Sequence, residues 1–551
     1  MNRKLVNGFL KASGKNIVNQ NGDTVLLNGW GLGNWLLCEG YMWLHNENEY
    51  FDRPRRIEKA IEELTDAEFS EYFWKEFRNR YITKEDIKLM ADSGYNSIRI
   101  PFNSRILLEE KPGLHWIEEG FALLDSLIDW CEEYGLYVFL DMHGAPGGQT
   151  GSNIDDSVDN LPRLFMDKEN WDKAIAIWEK LADRYKDRWI VGGYDLLNEP
   201  LRPGFTGIFD SGDLALGSNN LTLDFGYLVP KLVRFYEECI AGIRKYDTKH
   251  MLSIEGHYWS AATSIFHKHY DDNMVIHFHR YGCLPEIKSF KEYLDVSERL
   301  NQPLWLGETG ENKLEWFSAM YPLSLDLGIG FNVWPWKKME CFNSPLSVKK
   351  PEAWEKIVKF KKSEIKPSCE EAKAILNEYL NNILAENCVK NDDVTKACLR
   401  QPGCIVRGTD FDLFPGKGFS YSGNFSGITD SDYRKDTGMC IKKGRKPNDP
   451  KIFFDCDWDS LTLDLSQDEF AVYSIYDVSE GDTVRIEFMV MEDSVVEISD
   501  DNAVLGTLNM KASPDAKMSE SLILPQSEKV TVKIKLQKGR IQLDKVIFLK
   551  A

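Results

Sequence analysis

Two glutamates each close a short apolar run: Glu199 in Tyr-Asp-Leu-Leu-Asn-Glu-Pro (194–200) and Glu308 in Leu-Trp-Leu-Gly-Glu-Thr-Gly (304–310). A carboxylate is expensive to desolvate, so a charge at such a position is rarely placed without purpose. One of them alone would read as a salt-bridged rim residue. Two, in Asn-Glu-Pro and Gly-Glu settings, suit a shared task in which one protonates a leaving oxygen and the other attacks an anomeric carbon or activates water, the division of labour of glycoside hydrolysis. The acid of such a pair needs a raised pKa, and the nucleophile needs donors that keep it ionised.

Elements must bring the two together, and the apolar periodicity supplies them. Short apolar runs bounded by turn residues recur at 24–30, 97–101, 137–142, 193–198, 251–255, 274–279, 303–308 and 330–334. Amphipathic stretches of crossover length, such as 117–134 and 171–185, separate them. This alternation predicts an α/β fold, a closed (β/α)8 TIM barrel, whose active site lies at the C-terminal ends of the strands. Asn34 and Trp35, Arg99, His143, Asn198 and Glu199, His277 and His279, Glu308 and Trp334 all stand at those ends. Glu199 and Glu308 close the fourth and seventh runs, so they face each other across the mouth. Two connections, 38–81 and 203–229, exceed ordinary loops and read as cleft-shaping segments or peripheral decoration.

Taken in order, the motifs resemble glycoside hydrolase family 5, retaining enzymes with an acid/base after strand four and a nucleophile after strand seven. The resemblance covers roughly residues 9–345 and rests on Tyr-Asn-Ser-Ile-Arg-Ile-Pro-Phe (95–102), Asp-Met-His-Gly-Ala-Pro-Gly-Gly-Gln (141–149), Leu-Asn-Glu-Pro (197–200), His-Phe-His-Arg-Tyr (277–281) and Val-Trp-Pro-Trp-Lys (333–337). It implies that Glu199 is the acid/base and Glu308 the nucleophile. It further implies that Arg99 holds Glu308, that His143, Asn198, His279 and Tyr281 line the subsite of the cleaved sugar, and that Trp334 is the platform beneath it. Trp35 joins these substrate-contacting candidates. His277 falls two residues from the family position and reads as a neutral rim histidine. The resemblance implies β-linked glucan, as polysaccharide or oligosaccharide, as the substrate and no cofactor for the chemistry. Endo or exo action, and mannans or glucosylated lipids as other β-glycosides, stay open. A sugar-binding protein on a decayed barrel is the alternative from another class, and the two intact glutamates argue against it.

Gly29–Trp35 contains a Gly-x-Gly without the third glycine of a dinucleotide fingerprint or the Lys-Ser/Thr of a P-loop, so tight packing at the mouth explains it better than a nucleotide. The histidines offer no ligand trio at a recognised metal spacing.

Past about residue 403 the pattern changes to short alternating runs at 470–478, 483–490, 494–498, 529–536 and 541–549. They predict an antiparallel, jelly-roll-like β-sandwich. The expected division is a catalytic domain over 1–386, a linker over 387–402 and a β-sandwich over 403–551. This last part resembles family 6-type carbohydrate-binding modules through Tyr433-Arg434-Lys435, Gly438 and 468–478, with Phe470 where a tryptophan is usual. Tyr433, Trp458 and Phe470 are the aromatics to test for sugar binding. Asp455 and Asp457, alternating with Asp459, could hold a structural calcium, although a charged strand edge that resists pairing is the commoner cause.

Composition narrows the partners. Lys and Arg number 67 against 87 Asp and Glu, a net charge of −20, which repels phosphate backbones and makes nucleic acid an unsuitable partner. No apolar run reaches membrane-spanning length. The 11 cysteines are odd in number and lack paired short spacings, as reduced thiols do. The start has no export signal, so the chain reads as cytoplasmic as written, or as extracellular with a signal removed. Nothing in the sequence sets an oligomeric state.

Overall fold

The eight apolar runs form a closed parallel barrel in the computed structural model, which describes residues 5–45, 50–204, 223–362, 364–444 and 457–551. Its strands are β1 (Asn28–Gly31), β2 (Ser97–Asn103), β3 (Tyr137–Gly144), β4 (Val191–Asp195), β5 (Met251–Glu255), β6 (Met274–Arg280), β7 (Leu304–Gly310) and β8 (Gly330–Trp334). β8 pairs with β1 in parallel and closes the ring. The first strand starts four residues later than its apolar run, and the fourth strand is displaced at both ends. It begins two residues earlier than the apolar run and ends at Asp195, so Glu199 sits in the loop beyond it, with its backbone in the left-handed region at φ 43°.

Between β1 and β8 in sequence the described chain forms the α-helices α1 (Pro54–Leu64), α2 (Ala67–Tyr81), α3 (Lys84–Asp92), α4 (Glu118–Tyr134), α5 (Lys168–Tyr185), α6 (Val229–Arg244), α7 (Lys291–Leu300) and α8 (Leu314–Asp326). α4 buries Phe121, Leu124, Leu127, Ile128 and Cys131, the i, i+3, i+4 stripe of an amphipathic helix. Each such side chain contributes about 1.5–3 kcal/mol on leaving water. The opposite end of the barrel from the glutamates is plugged by Leu10 and Ile17 of an N-terminal hairpin, packed with Leu27, Phe139, Val275 and Trp305. Helices also reach in to fix strand ends. The indole N–H of Trp178 on α5 donates to the Leu196 carbonyl at 3.1 Å, and the Tyr236 hydroxyl on α6 donates to the Glu255 carbonyl at 2.8 Å.

The segment 38–81 folds as α1, α2 and a preceding short turn. Its centre is Trp43, fully buried among Phe51, Phe73, Trp74, Phe77, Trp354 and Tyr379. Much of the other long connection, residues 205–222, lies outside the described residues.

The chain divides into two compact units: Met1–Arg280 with Glu292–Gly310 and Gly328–Lys390, and Tyr281–Lys291 with Glu311–Leu327 and Asn391–Ala551. The second unit therefore takes α8, the connection between β7 and β8, together with the C-terminal sheet. The stretch 387–402 that reads as a linker carries the helix Asp392–Leu399. The C-terminal sheet is an antiparallel β-sandwich, built on two long strands, Thr483–Ser499 and Ser527–Leu549. Each was expected as two short strands. The backbone pairing continues through both breaks because register shifts at 490–495 absorb the bend. The first half of the last strand pairs with Phe470–Val478, and the second half with Leu461–Ser466.

α8 is buried almost all round, through Trp316, Phe317, Ala319, Met320, Tyr321 and Leu323. Within its unit the Ser318 hydroxyl donates to the Ile405 carbonyl at 2.5 Å, and Arg400 Nε donates to the Ser318 carbonyl at 2.8 Å. Deleting residues 391–551 removes these partners and uncovers apolar surface of α8, at about 1.5–3 kcal/mol for each large side chain returned to water. The truncated chain is expected to be insoluble or to melt at a markedly lower temperature, which soluble yield and a thermal melt will measure. A truncated barrel melting at the full-length temperature would contradict this.

Candidate active site

Arg99, on β2, is fully buried in the barrel mouth and spends its whole guanidinium on side-chain acceptors. Nε donates to Asp195 at 2.7 Å, Nη1 to Glu308 at 2.6 Å, and Nη2 to Asn198 at 2.8 Å and Glu255 at 2.9 Å. Asp141 lies 3.2 Å from Nη2. Burial works against a charge here, yet the four surrounding carboxylates raise the Arg99 pKa well above its ordinary value. A planar fork with several fixed donors meets this demand where a single ammonium point charge would not.

His143 and Asn198 are oriented from the same hub. Asp141 accepts from His143 Nδ1 at 2.8 Å, which leaves Nε2 as the acceptor for the Asn198 amide at 3.2 Å. Asn198 Oδ1 is turned to Arg99, so both ends of its amide are assigned by the network. Burial pushes Asp141 up to about 6, opposed by Arg99 and His143. Beneath them the fully buried Gln149 donates to the carbonyls of His143 and Asn198, both at 2.8 Å, and ties the loop after β3 to the loop after β4.

Glu199 and Glu308 meet across the mouth through His279 on β6. His279 Nδ1 is 2.7 Å from Glu199 Oε1 and 3.8 Å from Glu308 Oε1, and carboxylate oxygens of the two glutamates lie within 4.8 Å of each other. Their environments act in opposite directions. Burial pushes the Glu199 carboxyl above its ordinary value, with Glu308 and Glu255 adding to the push and His279 opposing it. Burial also works on Glu308, but His279 and Arg99 hold it below its ordinary value. His279 itself is raised well above the usual imidazole range, since Glu255 and Glu308 outweigh its burial. His277 is fully buried one layer down, with Nδ1 2.9 Å from the Ser253 hydroxyl and 3.2 Å from Asp195.

Glu255, His277 and His279, and likewise Glu199, His279 and Glu308, are close enough together to suggest cation ligands. Each carboxylate of these clusters has a protein partner: Arg99 bonds Glu255 and Glu308, and His279 pairs with Glu199. Asp455 lies outside the described residues, as does the side chain of Asp457; the neighbouring Asp459 is ion-paired with Lys313.

Trp334 ends β8 with its ring parallel to that of His143, 5.3 Å between centroids and 4° between planes. Its indole N–H donates to the Tyr41 hydroxyl at 2.9 Å, so the 38–81 segment does reach the site. A Cβ on Gly31 or Gly33 would come within 2.6 Å of the Trp334 ring, which is why the Gly-x-Gly stands there. Trp35 is buried and gives its indole N–H to the Arg78 carbonyl at 2.7 Å; no described contact joins it to the carboxylates. Tyr281 begins the second unit, directly after β6. The residues that sequence reasoning missed are Glu255, Asp195, Gln149 and Tyr41. Only Glu255 carries an evident signal: it closes the apolar run Met-Leu-Ser-Ile-Glu as Glu199 and Glu308 close theirs.

Comparison with known proteins gives the family. The chain is 29% identical over 314 residues to a β-xylosidase of Phanerodontia chrysosporium, covering 56% of this chain and 59% of that protein. It is 28% identical over 212 residues to endoglucanase C of Acetivibrio thermocellus, covering 38% of this chain and 53% of that protein. It is 29% identical over 194 residues to a glucan 1,3-β-glucosidase of Kluyveromyces lactis, covering 32% and 42%. The chain thus spans about half the length of these curated relatives. The family profile for cellulase (glycosyl hydrolase family 5) matches residues 59–340, just over half of the chain and seven of the eight barrel strands in full. The chain belongs to the cellulase family, glycosyl hydrolase family 5.

Proposed function

We propose that the protein is a retaining β-glycosidase that hydrolyses β-linked glucans by double displacement. The observation that carries this reading is the paired carboxylates: oxygens within 4.8 Å of each other, one carboxyl pushed up and the other held down. Opposed shifts on neighbouring carboxyls are how one site runs acid and nucleophile together. Retention goes with carboxyl groups about 5–5.5 Å apart, whereas inversion needs roughly 6.5–9.5 Å to admit a water. In this reading Glu308, held by Arg99, attacks the anomeric carbon and becomes the glycosyl ester. Glu199 gives its proton to the departing oxygen, then takes one from the water that releases the sugar. His143, Asn198 and Trp334 form the floor and wall of the subsite. Glucan as the substrate rests on the family and on relatives named endoglucanase and glucan 1,3-β-glucosidase.

The resemblance of the C-terminal sheet to a carbohydrate-binding module calls for aromatics on an open face. Tyr433 and Trp458 are buried, and both donate to Asp410. Phe470 is half-buried beneath the Lys533 ammonium, 3.9 Å from its ring centroid. These contacts favour a supporting role for the sheet over sugar binding. Replacing Phe470 by Ala should therefore leave retention on insoluble glucan unchanged, as a pull-down will measure.

Glu308→Gln should abolish turnover of every glycoside. Glu199→Ala should lose roughly 10²–10⁴-fold on natural linkages, while aryl glycosides with acidic leaving groups still glycosylate the enzyme. A 2-deoxy-2-fluoro glycoside should label Glu308, located by peptide mass spectrometry, and the product anomer read by NMR should be the retained one. Labelling of Glu199, or an inverted product, would overturn the assignment.

The pH dependence follows from the same two shifts. Glu308 is held low, so its ionised form is lost only as the pH falls through that depressed pKa. Glu199 is held high, so its proton is lost as the pH rises through the raised one. kcat/KM should be bell-shaped, with the acid limb below the ordinary glutamate range and the alkaline limb above it. An alkaline limb that persists in Glu199→Ala with an activated aryl substrate would assign that limb to another group.

A further inference from the structure

The carboxylate that ends β5 belongs to neither member of the pair, yet it is bonded toward both. Glu255 is fully buried. Its Oε2 accepts the main-chain N–H of Glu199 at 2.7 Å, and its Oε1 accepts Arg99 Nη2 at 2.9 Å, while Nη1 of the same guanidinium holds Glu308. The Glu199 residue is thus gripped at both ends, its N–H by Glu255 and its carbonyl by the Thr150 hydroxyl at 2.8 Å. It needs gripping. A left-handed backbone costs a residue with a Cβ about 1–2 kcal/mol and persists only where the surroundings enforce it.

Glu255 is itself over-determined. Its carbonyl accepts from the Tyr236 hydroxyl, and the chain turns back at once through Gly256, where a Cβ would stand 1.8 Å from the Ala262 carbonyl oxygen. Tyr258, Trp259 and Ser260 follow at φ 57°, 55° and 59°, three successive left-handed residues without a glycine among them. From this turn the Tyr258 N–H reaches the Leu201 carbonyl at 2.9 Å, joining the loop after β5 to the loop that carries Glu199.

We infer that Glu255 is a positioning residue, which fixes the Glu199 backbone against the Arg99–Glu308 pair and places a permanent negative charge beside both carboxyls. The inference rests on the reading of Glu199 as acid/base. The groups facing Glu255 are Arg99 from β2, Glu199 from the loop after β4, His277 and His279 from β6, Glu308 from β7 and Tyr236 from α6. Burial opposes ionisation of Glu255, but His279, His277 and Arg99 hold it far below the usual carboxylate range, so it is charged throughout the working pH. Its charge in turn raises Glu199, His279 and Glu308.

Two variants of the full chain separate position from charge. Glu255→Gln keeps the shape and removes the charge. The alkaline limb of kcat/KM should move down by about one pH unit, and kcat on glycosides with poor leaving groups should fall at least ~10-fold more than on activated aryl glycosides. Glu255→Asp keeps the charge and shortens the reach to the Glu199 N–H. It should show the same leaving-group-dependent loss with the alkaline limb left in place, and it decides the matter if the Gln variant does not fold. Loss that is uniform across leaving groups, or that tracks a lower melting temperature with both limbs at wild-type positions, would overturn the inference. Fluoro-sugar labelling of wild type is the separate control: if Glu308 is not labelled, the acid/base reading itself fails, whatever the Glu255 variants do.

Discussion

The buried guanidinium of Arg99 is the constraint on which the rest of the site depends. A cation with no solvent exposure in the middle of a barrel is tolerable only when its donors are matched, and here Asp195, Glu308, Asn198 and Glu255 take them while Asp141 adds a further charge. The dependence is mutual. Without the arginine, buried carboxylates would repel one another and take up protons. Without the carboxylates, the arginine would carry an uncompensated charge, whose cost is several kcal/mol. The acceptors come from β3, β4, β5 and β7, so one side chain on β2 fixes the relative heights of most of the strand ends.

From that hub the chemistry separates by environment, since the two facing residues are both glutamates. Glu308 accepts directly from Arg99. Glu199 stands beyond β4, makes no direct bond to the arginine among the described contacts, and meets the negative fields of Glu308 and Glu255. The same side chain is therefore steered toward its ionised form in one place and its protonated form in the other. The difference depends on a loop in a strained conformation, held by Gln149, Thr150 and Glu255 from neighbouring strands and loops.

The C-terminal sheet raises a separate question of support. α8 lies between β7 and β8 in sequence but is buried within the second unit, through Ser318, Arg400 and the strand Ile405–Arg407. A crossover helix that is apolar nearly all round cannot face water on any side. Continuity of the barrel chain is thereby tied to residues more than seventy positions downstream.

The sequence alone determined the parts that depend on local periodicity and chemistry. Eight apolar runs at crossover spacing specify a barrel, and β5 and β8 begin and end where the runs do, because the faces of an inner parallel strand are both buried and its apolar content marks its extent. Glu199, Glu308, Arg99, His143, Asn198, His279 and Trp334 were legible because polar groups at the ends of apolar runs are conspicuous. Glu255 carried the same mark and was passed over, since nothing local says that its partner is a backbone N–H 56 residues away. For Trp35 nothing local says that its indole N–H is taken by the Arg78 carbonyl, 43 residues away. The two long C-terminal strands were read as four short ones, because bulges interrupt the alternation without interrupting the pairing. Which carboxyl is pushed up and which is held down, which unit takes α8, and which indole finds a carbonyl are decided by contacts between residues distant in sequence. Electrostatic shifts and hydrogen-bond partners depend on separations of a few ångströms, and only the folded chain sets those.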